Sequence, residues 1–305
     1  MTHGTGQVRH GAVVPAEPRP ALLTDDPARI LRFAAESHES GLPTVLVTLT
    51  EIRGGAARAP GAQMAVRADG LYCGLVSGGC VEPAVAVEAL AAMRDGADRV
   101  VRFGAGSGIF DIVLPCGGGI TLALHQLRDP QPLRAVLARL AERHPAALRY
   151  CPATQTLTAA GPAAAEFSAA GGFLRPYRPG LRLFLAGAGP EATVLARLAR
   201  AAEYEVSAAA CDADTAAIFL HHDLDREIPG LVAALASDAF YIGALGSART
   251  HATRLARLAR LGVAESAIAR IKAPIGLFGP SRDATTLAIS VLAEIGKVRQ
   301  DQCVG

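Results

Sequence analysis

Several large protein classes are excluded by what this sequence does not contain. No run of about 18 or more uninterrupted apolar residues occurs, so no membrane-spanning helix is expected. Residues 1–20 are polar and carry Pro, Gly and His. They lack the apolar core of a secretory signal peptide, which predicts a disordered leader and a cytoplasmic protein. Neither sign of charge dominates: 30 Lys and Arg stand against 28 Asp and Glu, for a net charge of +2. A general nucleic-acid binder would show a clustered basic face, so no nucleic-acid partner is expected. The six cysteines, Cys73, Cys80, Cys116, Cys151, Cys211 and Cys303, form no Cys-x-x-Cys pair. That removes zinc ribbons and thioredoxin-like redox sites. Internal repeats and coiled-coil heptads are also absent.

The chain does have apolar mass: half of its 305 residues are hydrophobic, enough to bury a sizeable core. The length suggests two domains, read here as 21–160 and 181–305 with an Ala, Gly and Pro-rich linker at 161–180. In the first domain a helix is predicted from about Asp26 to Ser40, capped by Asp25 or Asp26 and closed by Gly41. Thr44 to Thr50 reads as a buried strand and Ile52 to Gly61 as a loop. Gln63 to Arg67 and Leu71 to Val76 form a hairpin around Ala68-Asp69-Gly70. Ser77 to Pro83 leads into a helix to about Asp95. The strand DRVVRFG, a further apolar run in IFDIVLPCGGG that ends in a glycine turn, the strand ITLALHQL and an amphipathic helix, Leu133 to Glu142, complete an α/β unit.

The second domain opens with strand, Gly187-x-Gly189-x-x-Ala192 turn, helix, strand and then Asp212. Gly187 allows a tight turn, Gly189 lets backbone approach a phosphate, and Asp212 sits where a ribose-binding acid is expected. A Rossmann-like fold follows from that βαβ context. Dinucleotide binding does not, because folds are reused for other ligands. A helix from about Ser247 to Leu261 carries Arg254, Arg257 and Arg260, read as a solvated face. The last helix runs from about Asp283 to Val298.

One theme recurs: apolar strand, glycines, cysteine. Gly78-Gly79-Cys80 precedes a helix, and Cys116-Gly117-Gly118-Gly119 follows a strand. A thiol at a helix N-terminus has a lowered pKa because aligned N–H groups stabilise the thiolate. A soft thiolate suits a molybdenum–sulfur centre or a persulfide. The plain alternative is a small buried hydrophobe, and Cys73, Cys151, Cys211 and Cys303 are read that way. Arg53 and Arg58 lie in a glycine-rich loop, either as a clamp for a phosphate or pterin edge or as solvated loop residues. Gln63 either hydrogen-bonds a polar ring or closes a strand end. Glu82 either caps its helix or moves a proton. Gly243, Gly246, Ser247 and Arg249 form a second anion-binding candidate, with ordinary capping by Ser247 as the alternative. His221, His222 and Asp223 follow a strand end; adjacent histidines point to opposite faces and make poor joint metal ligands.

These motifs, in this order, resemble the XdhC/CoxI family of accessory factors for xanthine and carbon-monoxide dehydrogenases. In the first domain the resemblance rests on EIRGGAARAPGAQM, GLVSGGCVE and LPCGG. In the second it rests on LFLAGAG, YIGALGSART, the following R-x-x-R-L-x-x-x-G pattern, PIGL and AISVLAEI. It implies an α/β fold with an N-terminal XdhC-type domain and a C-terminal Rossmann-like domain. It also implies a molybdenum cofactor chaperone, without turnover of its own, that binds the molybdopterin form, protects it and supports its sulfuration. Delivery would be to an apo xanthine-dehydrogenase-type enzyme, with a cysteine desulfurase as second partner. A homodimer is expected as the commonest form of a soluble oligomer. Carried over, Cys80 and Cys116 are the thiols near molybdenum, and Arg58, Gly61, Gln63 and Met64 line the adjoining loop with Gly78, Gly79 and Gly117. Gly187, Gly189, Gly246, Ser247 and Arg249 mark a Rossmann-side pocket. The sequence departs from the family at three places. Gly54-Gly55 replaces a glycine-serine step, His221 stands where threonine commonly precedes His-Asp, and the crossover after Cys211 to Asp214 is much shortened. A parallel crossover containing a helix needs a dozen or more residues, so no NAD(P) is expected. Two other readings remain: an NAD(P)-dependent oxidoreductase with His222 as its acid, and an assembly subunit that binds no cofactor.

Overall fold

The computed structural model describes residues 16–104 and 117–304, with side chains described to residue 301. The chain divides between Tyr177 and Arg178 into two compact units.

The first unit is built on a six-stranded sheet of order β1-β4-β3-β2-β6-β5. Its strands are β1 (Arg19–Leu22), β2 (Thr44–Arg53), β3 (Gln63–Arg67), β4 (Leu71–Gly74), β5 (Arg99–Gly104) and β6 (Gly119–Gln126). The central strand β2 is covered on both faces, which is why its apolar run is continuous rather than alternating. Val45, Val47 and Leu49 pack under α2 (Glu82–Asp95) with Val85, Ala86 and Ala89. Leu46 packs on the opposite face beside α1 (Pro27–Glu39) and α3 (Gln131–Ala141). Asp26 caps α1 by accepting the Ala28 N–H at 2.8 Å, with Pro27 at the first helical position.

A second sheet, antiparallel, closes that face in the order β8-β7-β10-β9, from β7 (Ala146–Cys151), β8 (Thr156–Ala160), β9 (Glu166–Phe167) and β10 (Phe173–Tyr177). Tyr150 and Phe173 of this sheet join Ile30, Leu31 and Leu133 in one core. Three sequence expectations change here. The stretch 161–180 is not a linker along its length, because β9 and β10 lie in it and hydrogen-bond into the first unit. The leader expected through residue 20 ends sooner, because the Arg19 N–H donates to the Gly70 carbonyl at 3.0 Å and starts β1. The loop expected from Ile52 begins later, because β2 pairs with β6 as far as Arg53.

The second unit is a parallel sheet of order β12-β11-β13-β14-β15. It comprises β11 (Arg182–Gly187), β12 (Glu205–Ser207), β13 (Thr215–Leu220), β14 (Tyr241–Ala244) and β15 (Ile271–Lys272). The helices are α4 (Pro190–Ala201), α5 (Leu224–Leu235), α6 (Ala248–Arg260), α7 (Glu265–Ile268) and α8 (Ala284–Val304). The Rossmann-like half-fold is trimmed without being rearranged. Strands β12 and β13 flank β11, and Arg182 pairs with both Glu205 and Thr215. Since β12 has only three residues, segment 208–214 has to cross one strand and step back barely two residues. Two sheet spacings are about 10 Å, within reach of a short extended segment that needs no helix.

Arg254 departs from the solvated face expected of it. Its side chain is 0% exposed and forms an ion pair with Glu227 of α5, equally buried. Its second terminal nitrogen also donates to the Leu245 carbonyl at 2.6 Å. A regular row of arginines gives no sign of this, because the partner carboxylate comes from another helix. Arg257, one turn on, pairs with exposed Asp225 as a surface residue does.

Candidate functional site

The register brings several loops of the first unit to one end of its sheet. Arg53 pairs with Gly119, Thr48 with Gln63, Met64 with Gly74 and Gly104 with Gly119. The segments 54–62, 75–81 and 117–118 therefore close the same sheet end. Gly118 fits only as glycine: a Cβ there would lie 2.0 Å from the Gly55 carbonyl oxygen. A Cβ on Gly78 would lie 3.6 Å from that of Ala57, so the 54–62 loop touches both glycine turns.

Cys80 is exposed at the tip of the 77–81 turn, just before α2. The turn is organised by Glu82, fully buried at the first helical position. Its carboxylate accepts the N–H groups of Val76 (3.1 Å), Ser77 (2.7 Å) and Val81 (3.2 Å), and the Ser77 hydroxyl (2.7 Å). Glu82 thus serves the turn's architecture. The Ser77 hydroxyl also accepts the Gly79 N–H at 3.3 Å and lies 3.6 Å from Cys80 Sγ. Since its own proton is directed at Glu82, the thiol is the donor in that last contact. Gly79 takes φ +102 with open space where a Cβ would stand, leaving the thiol approachable. Cys116 lies outside the described residues. Its neighbour Gly117, at φ +70, also faces open space. Burial pushes the Cys73 thiol up to about 11 and raises that of Cys211. The Cys151 thiol is instead lowered, by hydrogen bonding to Thr154.

The far side of the 54–62 loop walls a pocket of about 320 Å³ that Arg58, Gly61 and Gln63 line together with Asp25, Phe167 and Arg175. Arg58 pairs with Asp25 at 3.0 Å, and its Nε is enclosed without a hydrogen-bond partner among the described residues. Arg175 donates from Nε to the Gly61 carbonyl at 2.5 Å and stacks 4.0 Å from the Tyr177 ring centroid. Gly61 is at φ +93, and a Cβ there would meet the Phe167 ring at 2.9 Å.

Of the expected lining residues, Met64 lies in the core and Gln63 borders the pocket with its amide committed to the fold. Met64 is 0% exposed in the core under α2, so no ligand reaches it. Gln63 is buried with its amide engaged, donating to Thr48 Oγ1 at 3.0 Å and accepting the Tyr177 hydroxyl at 2.8 Å. Arg53 is the last residue of β2 and is held by Glu51 and the Thr121 hydroxyl rather than poised as a clamp. Phe167, Arg175 and Ser77 were not singled out by the sequence. The first two sit in strands of two and five residues inside an Ala, Gly and Pro-rich stretch, where no periodicity develops.

In the second unit a pocket of about 970 Å³ opens at the C-terminal ends of β13 and β14, bounded by His222, Gly246, Ser247, Phe278 and Glu191. Ser247 caps α6 by accepting the Thr250 N–H at 3.2 Å. Arg249 is exposed outside the lining. Gly187 takes φ +139, and a Cβ there would come 2.8 Å from the Leu220 carbonyl oxygen, so both conformation and space call for glycine. Gly189 caps α4, followed by Pro190, which has no N–H, and Glu191, whose Oε2 is enclosed without a partner among the described residues. Asp212 stands at the opposite end of the sheet from this glycine turn. It accepts the Thr215 hydroxyl at 2.8 Å and faces Arg182, the first residue of β11. The ribose position expected of it is overturned, because β12 ends at Ser207 and the chain has already turned back. Among the described residues no cluster of His, Cys, Asp and Glu could hold a metal ion, and no helix is long and apolar enough to cross a membrane.

Comparison with known proteins agrees with this architecture. The family model described as XdhC and CoxI family matches residues 37–104, and that described as XdhC Rossmann domain matches residues 183–295. The chain is 52% identical over 301 residues to the molybdenum cofactor insertion chaperone PaoD of Escherichia coli (strain K12), covering 94% of this chain and 95% of that one. It is 30% identical over 277 residues to the uncharacterized protein YqeB of the same organism, covering 89% of this chain and 46% of YqeB. A crystal structure described as a xanthine dehydrogenase from Bacillus halodurans shares the fold at a TM-score of 0.65 and 20% identity, covering 89% of this chain and 96% of that one. By its sequence relatives and by the two units they match, the chain belongs to the XdhC and CoxI family.

Proposed function

We infer that this protein is a molybdenum cofactor chaperone, holding the cofactor at the glycine-rich sheet end of its first unit. One observation carries the reading: an exposed thiol, Cys80, stands on a rigid glycine turn beside a loop whose other side lines the Arg58 pocket. The name of the 52% identical relative points the same way. The cofactor brings a sulfur-ligated molybdenum, a pterin and a phosphate. A soft thiolate suits the first, and guanidinium groups suit the last. Gly78, Gly79 and Gly117 let a bulky ligand approach backbone, while Cys80 and Cys116 supply the thiols.

The finer parts of the proposal are the molybdopterin form, support for sulfuration with a cysteine desulfurase, an apo xanthine-dehydrogenase-type client and a homodimer. NAD(P) is not part of it. At the α4 turn Pro190 offers no N–H, Glu191 brings negative charge, and Asp212 is at the other sheet end. The test is molybdenum bound per protein after anaerobic mixing with the cofactor and gel filtration, for the wild type, Cys80→Ala and Cys116→Ala. Near-stoichiometric binding by the wild type, lost in one variant, is the expected result. A folded wild type that retains no molybdenum would overturn the proposal in favour of an assembly subunit.

A further inference from the structure

The pocket behind the 54–62 loop carries more positive charge than its packing needs. Two guanidinium groups line it, and the one carboxylate among its described lining residues, Asp25, is already paired with Arg58 and largely exposed. Arg58 also keeps an enclosed Nε with no hydrogen-bond partner among the described residues, which leaves it a donor to offer an acceptor. Arg175 carries five N–H donors, of which the Gly61 and Pro176 carbonyls and the Tyr177 hydroxyl engage some but not all. The Phe167 ring and Gly61 bound the cavity, and its volume of about 320 Å³ suits a compact group better than a whole dinucleotide. The same loop meets the Cys80 turn at Ala57 and the pocket from Arg58 onward, so thiol and guanidinium groups stand at two ends of one short segment.

We propose that Arg58 and Arg175 form an oxyanion subsite that grips a phosphate-type group, the tail of a ligand whose sulfur-bound metal end lies at Cys80. The inference rests on the cofactor-carrier reading for the identity of that ligand, and on the pocket alone for its chemistry. A phosphate ester of the cofactor and free inorganic pyrophosphate share that chemistry, so the test uses both.

Inorganic pyrophosphate is titrated calorimetrically into the wild type, Arg175→Met, Arg175→Lys and Arg58→Gln, and each protein is also assayed for cofactor retention by gel filtration. The expected result is saturable pyrophosphate binding by the wild type, weakened about tenfold or more in Arg175→Met, as the loss of charge-assisted hydrogen bonds predicts. Arg175→Lys, which keeps the charge but loses the fork, falls between. Should Arg175→Met fail to fold, Arg58→Gln carries the same test, since its ion pair is with an exposed carboxylate. No pyrophosphate binding by the wild type, or equal binding by all variants, overturns the subsite. Cofactor retention unchanged in Arg175→Met also overturns it while leaving the carrier reading intact. Arginine-dependent pyrophosphate binding without any cofactor retention keeps the subsite and removes the carrier reading.

Discussion

Glycine-rich strand ends occur in both units, and their surroundings are of opposite character. In the first unit the glycines at 54–55, 78–79 and 117–118 close a sheet end flanked by Cys80, Arg58 and Arg175. In the second, Gly187 and Gly189 open into Pro190 and Glu191, a turn one N–H short and holding a carboxylate. Glycine sets how near a ligand can come to the backbone, and the neighbouring side chains decide which charge is welcome. The glycine fingerprint of the second unit therefore reports a chain path, and the less familiar motif of the first unit holds the better-equipped pocket.

The contrast also appears in how each unit uses its buried charges, and the largest expected effect tests that. Replacing Arg254 by Met leaves Glu227 buried and unpaired, which should cost about 3–5 kcal/mol of stability in urea unfolding. Replacing both together, Arg254→Met with Glu227→Leu, should recover most of the loss. A single-variant cost below about 1 kcal/mol would mean that the pair does not organise the second unit.

Gly118→Ala comes next. Its methyl would stand 2.0 Å from a carbonyl oxygen, so about 1–3 kcal/mol of overpacking is expected, with loss of cofactor retention. Gly117→Ala, strained only by its φ of +70, should cost about 1–2 kcal/mol. Equal midpoint shifts for the two would deny the tight crossing at the sheet end.

A third prediction concerns Asp98, which joins the two sheets of the first unit. Burial pushes its carboxyl up, but hydrogen bonds from His125 and Tyr150, both at 2.7 Å, more than reverse this and hold it at about 2. The folded value is depressed, so the stabilisation is full above about pH 4 and lost as pH falls toward about 2, by about 2 kcal/mol. Asp98→Asn should remove that acid-limb dependence; an unchanged limb by urea unfolding at several pH values counts against it.

The smallest effect is at Glu191. Glu191→Gln should shift stability by no more than about 0.5 kcal/mol and create no NADH binding, since Pro190 and the displaced Asp212 remain. Saturable NADH binding by this variant would break the contrast between the two strand ends.

Much of this was readable in the residues. Apolar runs and turn signals marked β2, the hairpin at Asp69 and the longer helices, though not the four-residue α7, and the Gly-x-Gly context marked the Rossmann-like half. The cysteine turn at Gly78-Gly79-Cys80 was legible because glycines and a thiol before a helix are an uncommon grouping. Arg254 was not, since its burial depends on a carboxylate 27 positions away. Nor was Arg175, placed in a stretch whose composition imitates a linker while its backbone completes a sheet. Asp212 was misplaced because β12 stops after three residues, a boundary that composition does not mark.

Under the proposed carrier role, the way Glu82 holds its turn bears on how a cargo would be passed on. Val76, Ser77 and Val81 are fixed to one buried carboxylate before any ligand arrives, so the entropy of ordering that turn is spent during folding. In the proposed carrier role, binding at Cys80 would then neither bear the cost of that order nor gain from its release. On that reading a receiving protein would have only to outcompete the contacts themselves, and the emptied turn would keep its shape for the next cargo.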